Sequence, residues 1–140
     1  MAFNSRDLIS LAKKLQKVSG EAELRTAVGR PYYGVFNFVI EKLKTNGIRF
    51  SSAAEDHEKL VRYLTNCGID EIQNVGMSIN DLRGVRNNAD YKMAISFQNS
   101  SDVAFNVMKA EIAMNNFEKK SLGAIVNGIK EYKKKINEPL

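Results

Sequence analysis

An arginine interrupts the most regular apolar pattern in this chain. Ile72, Val75, Ile79 and Leu82 recur in alternating steps of three and four residues, and the same steps then reach Arg86. This spacing predicts one face of an α-helix, so we expect Arg86 to point toward the core. A buried guanidinium needs a carboxylate, a carbonyl or a ligand phosphate, because burying it without a partner costs too much free energy.

The nearest candidate partner of Arg86 is Asp90, one helical turn further along the chain. One interpretation is a structural ion pair near the end of a helix. The other is a functional site built around the arginine, since both arrangements perturb charged groups. The helical pattern alone leaves both interpretations open.

The other apolar patterns also repeat at helical spacing. We predict helices at about residues 5–18, from 21 to a stop at 46–47, after a capping box at 52–55, over about 70–91, and from 100 or 101 to 136 with a break near 121–123. Pro31 is expected to kink the second helix or to start it anew. Besides the seam of the fourth helix, the residues predicted to be buried are Leu8, Leu11, Leu15, Val18, Leu24, Val28, Tyr32, Val35, Val39, Leu43, Leu60, Val61, Leu64, Val103, Val107, Met114, Phe117, Leu122, Ile125, Ile129, Tyr132 and Ile136.

Helical segments with short connections and no alternating strand pattern predict an all-α fold. The expected architecture is an up-and-down helical bundle of four to five helices in one domain spanning residues 1–140. The 44% apolar content is enough for a single core, and the two prolines and scattered glycines indicate no linker.

Composition also limits the chemistry. The N-terminal stretch MAFNSRDL has no long apolar run, so we expect neither a signal peptide nor a membrane span, and a cytoplasmic location. Cys67 is the only cysteine, which excludes an internal disulfide, and it is expected to be a small buried side chain. There is no Gly-rich phosphate loop, no H-E-x-x-H and no His/Cys cluster, so we expect no metal and no cofactor.

Net charge is compatible with an anionic partner but does not identify one. The formal charge is +5 and the pI is about 9.3. Part of this excess lies in the run from Lys130 to Lys135, which is typical of a solvated helix end. The lysine run is therefore not assigned to a nucleic-acid interface.

Three motifs follow one another along the middle of the chain. They are RTAVGRPYYGVF at Arg25 to Phe36, an isolated His57, and RNNADY at Arg86 to Tyr91. In this order they resemble the HEPN superfamily of small helical nucleotide- and RNA-associated proteins. The resemblance covers about residues 25–93 and is to the compact subfamily with an R-x-Y-Y-x-x-F helix, a histidine opening the next helix and a closing R-x-x-A-D-Y.

The resemblance implies two alternatives for function. HEPN ribonucleases cleave RNA without metal, using an arginine that stabilises the transition state and a histidine on the same helix that moves a proton. This chain keeps Arg86 but has Asp90 and Tyr91 where that histidine would be. We therefore expect a HEPN-type nucleotide- or RNA-binding protein, a partner of a nucleotidyltransferase in a toxin–antitoxin or defence system. The alternative is a metal-independent ribonuclease of the toxin or defence type that recruits His57 from the neighbouring helix.

The candidate site residues follow from the same resemblance. Arg86 and His57 are the candidate catalytic residues, and the candidate binding residues are Arg30, Tyr33, Arg83, Asn87, Asp90 and Tyr91. A homodimer is expected as well. Besides the family, its motivation is a strip on the fourth helix with Gly76 and Gly84, where another backbone could approach closely.

Overall fold

The computed structural model describes residues 5–15, 21–91 and 100–140. In that part of the chain all regular structure is helical, which confirms the all-α class. The six helices are α1 (Arg6–Leu15), α2 (Glu21–Thr45), α3 (Asp56–Thr65), α4 (Asp70–Tyr91), α5 (Ser100–Lys119) and α6 (Leu122–Lys135). The predicted count of four to five was too low, because the break near 121–123 separates α5 from α6. Ser121 caps α6 there by accepting a hydrogen bond from the backbone N–H of Ala124.

Helices α2 and α4 form the centre of the molecule. Helix α2 contacts α1, α4 and α5, and α4 contacts α2, α3 and α5. The predicted inward faces of both helices are confirmed where side chains are described: buried residues are Tyr32, Val35, Val39 and Leu43 on α2 and Ile72, Val75, Ile79 and Leu82 on α4. Burial of these two faces supplies much of the hydrophobic driving force for folding.

Helix α1 presents a different face from the one predicted. Ile9 and Ala12 are buried, whereas Leu8 is half-buried and Leu11 is exposed. The reason is the contact with α2: a Cβ added to Gly34 would lie 2.9 Å from Cδ1 of Ile9, so the missing side chain makes room for the isoleucine. Two further predicted positions, Leu15 and Val18, lie outside the described side chains, as do Leu24 and Val28 on α2.

Helix α2 does not restart at Pro31. It continues from Glu21 to Thr45, and Pro31 is a buried residue within it. The residues on either side, Arg30 and the tyrosine pair at 32 and 33, therefore belong to one helix. Their relative positions are set by helical geometry rather than by a loop.

A polar cluster links the end of α6 and the segment that follows it to α3. The Arg62 guanidinium donates to the Tyr132 hydroxyl at 3.2 Å and to the Glu138 carboxylate at 3.1 Å, and the Tyr63 hydroxyl donates to Glu138 at 2.8 Å. Lys133 is buried beside them, with Nζ 5.3 Å from the centre of the Tyr63 ring. The expectation that the whole lysine run is solvated was therefore wrong at Lys133.

One residue of the apolar stripe predicted for the last helix is exposed instead of buried. Ile125 and Ile129 are buried and Tyr132 is half-buried, but Ile136 is 45% exposed. The reason is that α6 ends at Lys135, so Ile136 is no longer on the helical face that contacts α3.

The two glycines of the α4 strip differ in their surroundings. A Cβ on Gly76 would lie 2.9 Å from Cγ2 of Thr65 and 3.0 Å from Cβ of Leu64, so this glycine permits close packing of α4 on α3. Gly84 has no such neighbour within 4 Å. Packing within the chain explains Gly76, and the homodimer stays a prediction that rests on the resemblance.

No helix in the described ranges is long and apolar enough to cross a membrane. Cys67 is buried as predicted, and its thiol lies 3.3 Å from the carbonyl oxygen of Leu64. It forms no disulfide.

Candidate functional site

Arg86 is buried, as the α4 seam predicts, and only 9% of its surface is exposed. Its guanidinium lies against two aromatic rings of α2, with Cζ 5.4 Å from the centre of the Tyr32 ring and 5.2 Å from the centre of the Tyr33 ring. Arg30 approaches the Tyr33 ring as well, at 5.7 Å. Each distance is within the range of a cation–π interaction, so the tyrosine pair contacts both guanidinium groups.

His57 lies in the first turn of α3 and contacts Tyr32 of this pair. The Tyr32 hydroxyl and Nδ1 of His57 share a hydrogen bond. The imidazole also stacks on the Phe36 ring, with 4.3 Å between the ring centres and an angle of 23° between the planes. A hydrogen bond and a stacked ring together fix both the position and the orientation of the imidazole.

Burial and the arginines of α4 lower the pKa of His57. Burial lowers the pKa of His57 from its ordinary value of 6.5, and the positive charges of Arg83 and Arg86 lower it further. The imidazole is therefore neutral at pH 7. Arg83 is half-buried, and its Nε has no hydrogen-bond partner among the described residues.

The structure thus brings together five of the residues predicted for the site, namely Arg30, Tyr33, His57, Arg83 and Arg86. Together with Tyr32 and Phe36, which contact His57, we call them the Arg86 cluster. Asn87 is half-buried on α4, next to Arg86 in the chain. Asp90 and Tyr91 belong to the last turn of α4, and their side chains lie outside the described residues, so the proposed Arg86–Asp90 pair stays a prediction.

Two members of the cluster, Tyr32 and Phe36, are not among the site residues that the sequence predicts. Tyr32 is fully buried and Phe36 is 8% exposed, so both are core residues, but each also contacts His57. The motif R-x-Y-Y-x-x-F contains both residues and was the signal that could have identified them.

The start of α3 is held by Asp56 rather than by the predicted capping box of Ser52 and Glu55. Glu55 occupies the N-cap position, and its side chain makes no capping hydrogen bond. Instead the buried Asp56 carboxylate accepts three hydrogen bonds of 2.7 Å, from the backbone N–H and hydroxyl of Ser51 and from the backbone N–H of Ser52. Asp56 thereby fixes the loop before α3 and, with it, the position of the neighbouring His57.

These hydrogen bonds give a prediction for acid stability. Burial raises the pKa of Asp56, but the hydrogen bonds from Ser51 and Ser52 and the charge of Lys44 outweigh it, so the pKa lies below 3.8. The carboxylate therefore stabilises the fold above that pH, and the contribution is lost as the pH falls through the lowered pKa. Asp56→Asn should reduce the free energy of unfolding by about 2 kcal/mol at pH 7 and by less at pH 3, which lies below the ordinary pKa.

Urea denaturation of wild type and variant at the two pH values measures this difference. Asp81→Asn is the control, because Asp81 is an exposed carboxylate in an ion pair with Lys109. An equal loss at both pH values for Asp56→Asn would contradict the proposed role of the charge.

No group of three or more His, Cys, Asp or Glu residues in the described segments could hold a metal ion. The chemistry available in the Arg86 cluster is that of fixed guanidinium groups, a neutral imidazole and aromatic faces. Guanidinium groups bind phosphate through two parallel hydrogen bonds, and aromatic faces stack on bases. The cluster can therefore bind an anion and place an imidazole beside it.

Comparisons with protein-family models, with curated proteins and with solved structures give no match to this chain. What its site does must therefore be inferred from the geometry of the site itself.

Proposed function

We propose that this chain is a HEPN-type nucleotide- or RNA-binding protein and that the Arg86 cluster is its phosphate-binding site. The observation that carries the proposal is the packing of Arg86 and Arg30 on the adjacent tyrosines of α2, at 5.2 to 5.7 Å from the ring centres. Rings that fix a guanidinium in one orientation reduce the entropy lost when it binds a phosphate.

The electrostatics of the cluster support the same proposal. Besides burial, the positive charges of Arg83 and Arg86 both lower the pKa of His57, so the two charges act on one point of the cluster. Such a concentration of positive charge favours an anion, and the net charge of +5 favours one at longer range. RNA or a nucleotide supplies such an anion in its phosphate groups.

Two partners belong to this proposal on the strength of the resemblance. One is a nucleotidyltransferase that acts with this chain in a toxin–antitoxin or defence system. The other is a second copy of the chain, since HEPN proteins of this kind form their cleft between two protomers. A toxin–antitoxin or defence role accords with a small RNA-associated protein.

The alternative function is metal-independent RNA cleavage, and His57 is the observation that favours it. Its neutral imidazole lies within the electrostatic influence of Arg83 and Arg86, as a proton acceptor beside a phosphate-binding site would. When Nδ1–H donates to the Tyr32 oxygen, the lone pair of Nε2 can take the proton of a ribose 2′-hydroxyl. The 2′-oxygen then attacks phosphorus, the bond to the 5′-oxygen breaks, and the 5′-oxygen takes a proton from water.

Binding of single-stranded RNA tests the main proposal. Arg86→Met keeps much of the side-chain volume and removes the charge, so we expect about tenfold weaker binding and a salt dependence reduced by about 0.7 in log–log slope. Fluorescence anisotropy with a labelled RNA at several salt concentrations measures both quantities. Lys134→Met, which removes the same charge from an exposed position on α6, is the control and should change little.

Equal losses in Arg86→Met and Lys134→Met would show that binding is a general effect of net charge. Absence of RNA and nucleotide binding by the wild-type protein at low salt would overturn the proposal itself.

A further inference from the structure

A cavity of about 340 Å³ lies between α2 and the start of α3, directly beside the Arg86 cluster. Its volume is within the range of small-molecule binding sites. The residues that matter for its chemistry are Phe36, Asn37, Glu41 and Lys44 on α2, Ala53 in the loop, and His57 on α3.

Phe36 and His57 belong both to the cavity and to the Arg86 cluster. Their ring centres are 4.3 Å apart, and both side chains line the cavity, which therefore adjoins the Arg86 cluster. A ligand that spans both would place its phosphate against the arginines and its neighbouring group in the cavity. In a nucleotide or an RNA strand, that neighbouring group is the ribose with its base.

Where α2 lines the cavity, a hydrogen-bond acceptor, Glu41, lies next to a donor, Lys44. Oε1 of Glu41 and Nζ of Lys44 are 3.8 Å apart, one helical turn along α2. Both side chains reach solvent, so their mutual attraction is weak and a ligand can replace it at little cost. A carboxylate beside an ammonium group matches the edge of guanine, where the N1–H and N2 amino donors lie beside the O6 acceptor.

Adenine presents the opposite arrangement on the same edge, with an amino donor at position 6 and an acceptor at N1. Lys44 would then face a donor and Glu41 an acceptor. Neither pair can form a hydrogen bond, so adenine loses the contacts that guanine would make with Glu41 and Lys44. The lining of the cavity therefore distinguishes the two purines.

We propose that this cavity is a base-binding subsite for guanine, in which Glu41 accepts from N1–H and N2–H and Lys44 donates to O6, while the attached phosphate lies against Arg86. The inference deepens the proposed function and rests on it. Phe36 and His57 form the inner wall of the subsite, and Asn37 supplies a further polar contact. Guanine-containing RNA is thereby the substrate class of the Arg86 cluster.

Competition between two labelled RNA pentamers tests the subsite in the wild-type protein. One is A5, and the other is A2GA2, which differs only by the central guanine. We expect A2GA2 to bind about tenfold more tightly, as one well-placed bidentate base contact provides. Fluorescence anisotropy gives both affinities under the same conditions.

Two variants assign the preference to the cavity. Glu41→Gln removes the carboxylate, and Ala53→Leu places a larger side chain in the cavity from a loop position. Each should bring the affinities for the two RNAs to within about twofold of each other. Glu131→Gln is the matched control, because Glu131 forms the same kind of exposed pair with Lys134, at 3.3 Å on α6.

The outcomes separate the subsite from the proposed function. Equal wild-type affinity for the two RNAs, with Arg86→Met still weakening both, overturns the guanine subsite and leaves the phosphate site intact. Guanine preference that survives both Glu41→Gln and Ala53→Leu also overturns it. Failure of the wild-type protein to bind either RNA overturns the proposed function and the subsite together. Because Glu41 is exposed, Glu41→Gln should fold normally even if Ala53→Leu does not.

Discussion

Replacing Gly128 with alanine should lower the free energy of unfolding by about 3 kcal/mol, at the upper end of the range for overpacking. An added Cβ would lie 2.2 Å from the carbonyl oxygen of Cys67 and 3.1 Å from its carbonyl carbon. These atoms belong to the backbone of the turn between α3 and α4, so they cannot move aside as a side chain could. Helix α6 would have to shift away from that turn, loosening Ile125 and Ile129 in the core.

Gly84→Ala is the matched control for this prediction. Gly84 is an exposed helical glycine with no heavy atom of a neighbour within 4 Å of an added Cβ. Alanine should therefore stabilise the fold there by up to about 1 kcal/mol, through helix propensity alone. Urea denaturation followed by circular dichroism measures both variants.

A third variant shows which atoms cause the loss. Cys67→Ala in the Gly128→Ala background removes a side chain but leaves the obstructing carbonyl, so it should not restore stability. A Gly128→Ala variant as stable as wild type would contradict the close contact between α6 and the α3–α4 turn.

The sequence predicts the faces of α2 and α4 because their apolar residues recur in steps of three and four over several helical turns. Leu8, Ile9, Leu11 and Ala12 form one broad apolar face on the short helix α1, and the prediction centred that face on Leu8 and Leu11. The contact of Ile9 with Gly34 on α2 selects the face that is buried. Local periodicity contains no information about that contact, so the face could not be assigned from the sequence.

The inward face of helix α5 could not be assigned from the sequence either. Val107 and Met114 are buried as predicted, yet Phe105 and Met108 on the same helix are more than half exposed. Apolar residues therefore occur all around this helix, and only the packing of α5 against α2 and α4 separates its inner and outer faces. Pattern reasoning identifies a helix of this kind but not its orientation.

The candidate site could be predicted in part for a similar reason. The burial of Arg86 follows from the period of α4 and needs no knowledge of its neighbours. The hydrogen bond between Tyr32 and His57 joins residues 25 positions apart on two helices, and helical spacing cannot indicate it. Resemblance to a family placed His57 near Arg86, but it did not indicate Tyr32 as the group that orients the imidazole.

Lys133 shows how a charge run can mislead. Four lysines in the last turns of α6 are typical of a solvated face, and Lys134 is indeed exposed. Lys133 is buried against Tyr63, where burial lowers its pKa while the charge of Glu138 raises it. The Glu138 carboxylate reaches this place from beyond the end of α6, a tertiary contact that no local pattern contains.

The largest kinetic effect is expected from His57, and it separates the two candidate functions. If the protein cleaves RNA, the products without metal should end in 2′,3′-cyclic phosphate, and His57→Ala should reduce the rate by about 10² to 10⁴, as the loss of a general base does. Tyr32→Phe removes only the hydroxyl that orients the imidazole, so it should have a smaller effect on the same rate. Purified protein with a mixed RNA substrate and chelator provides the measurement.

The pH profile of cleavage adds a readout that a merely structural histidine would not affect. Because burial, Arg83 and Arg86 lower the pKa of His57, a base at this position stays unprotonated below pH 6.5, and kcat/KM should decline only at more acidic pH. Arg83→Met removes one of the two repelling charges and should move that decline toward 6.5. Cleavage that persists undiminished in His57→Ala would exclude His57 as the base, and a wild type that binds RNA without cleaving it would leave binding as the function of the Arg86 cluster.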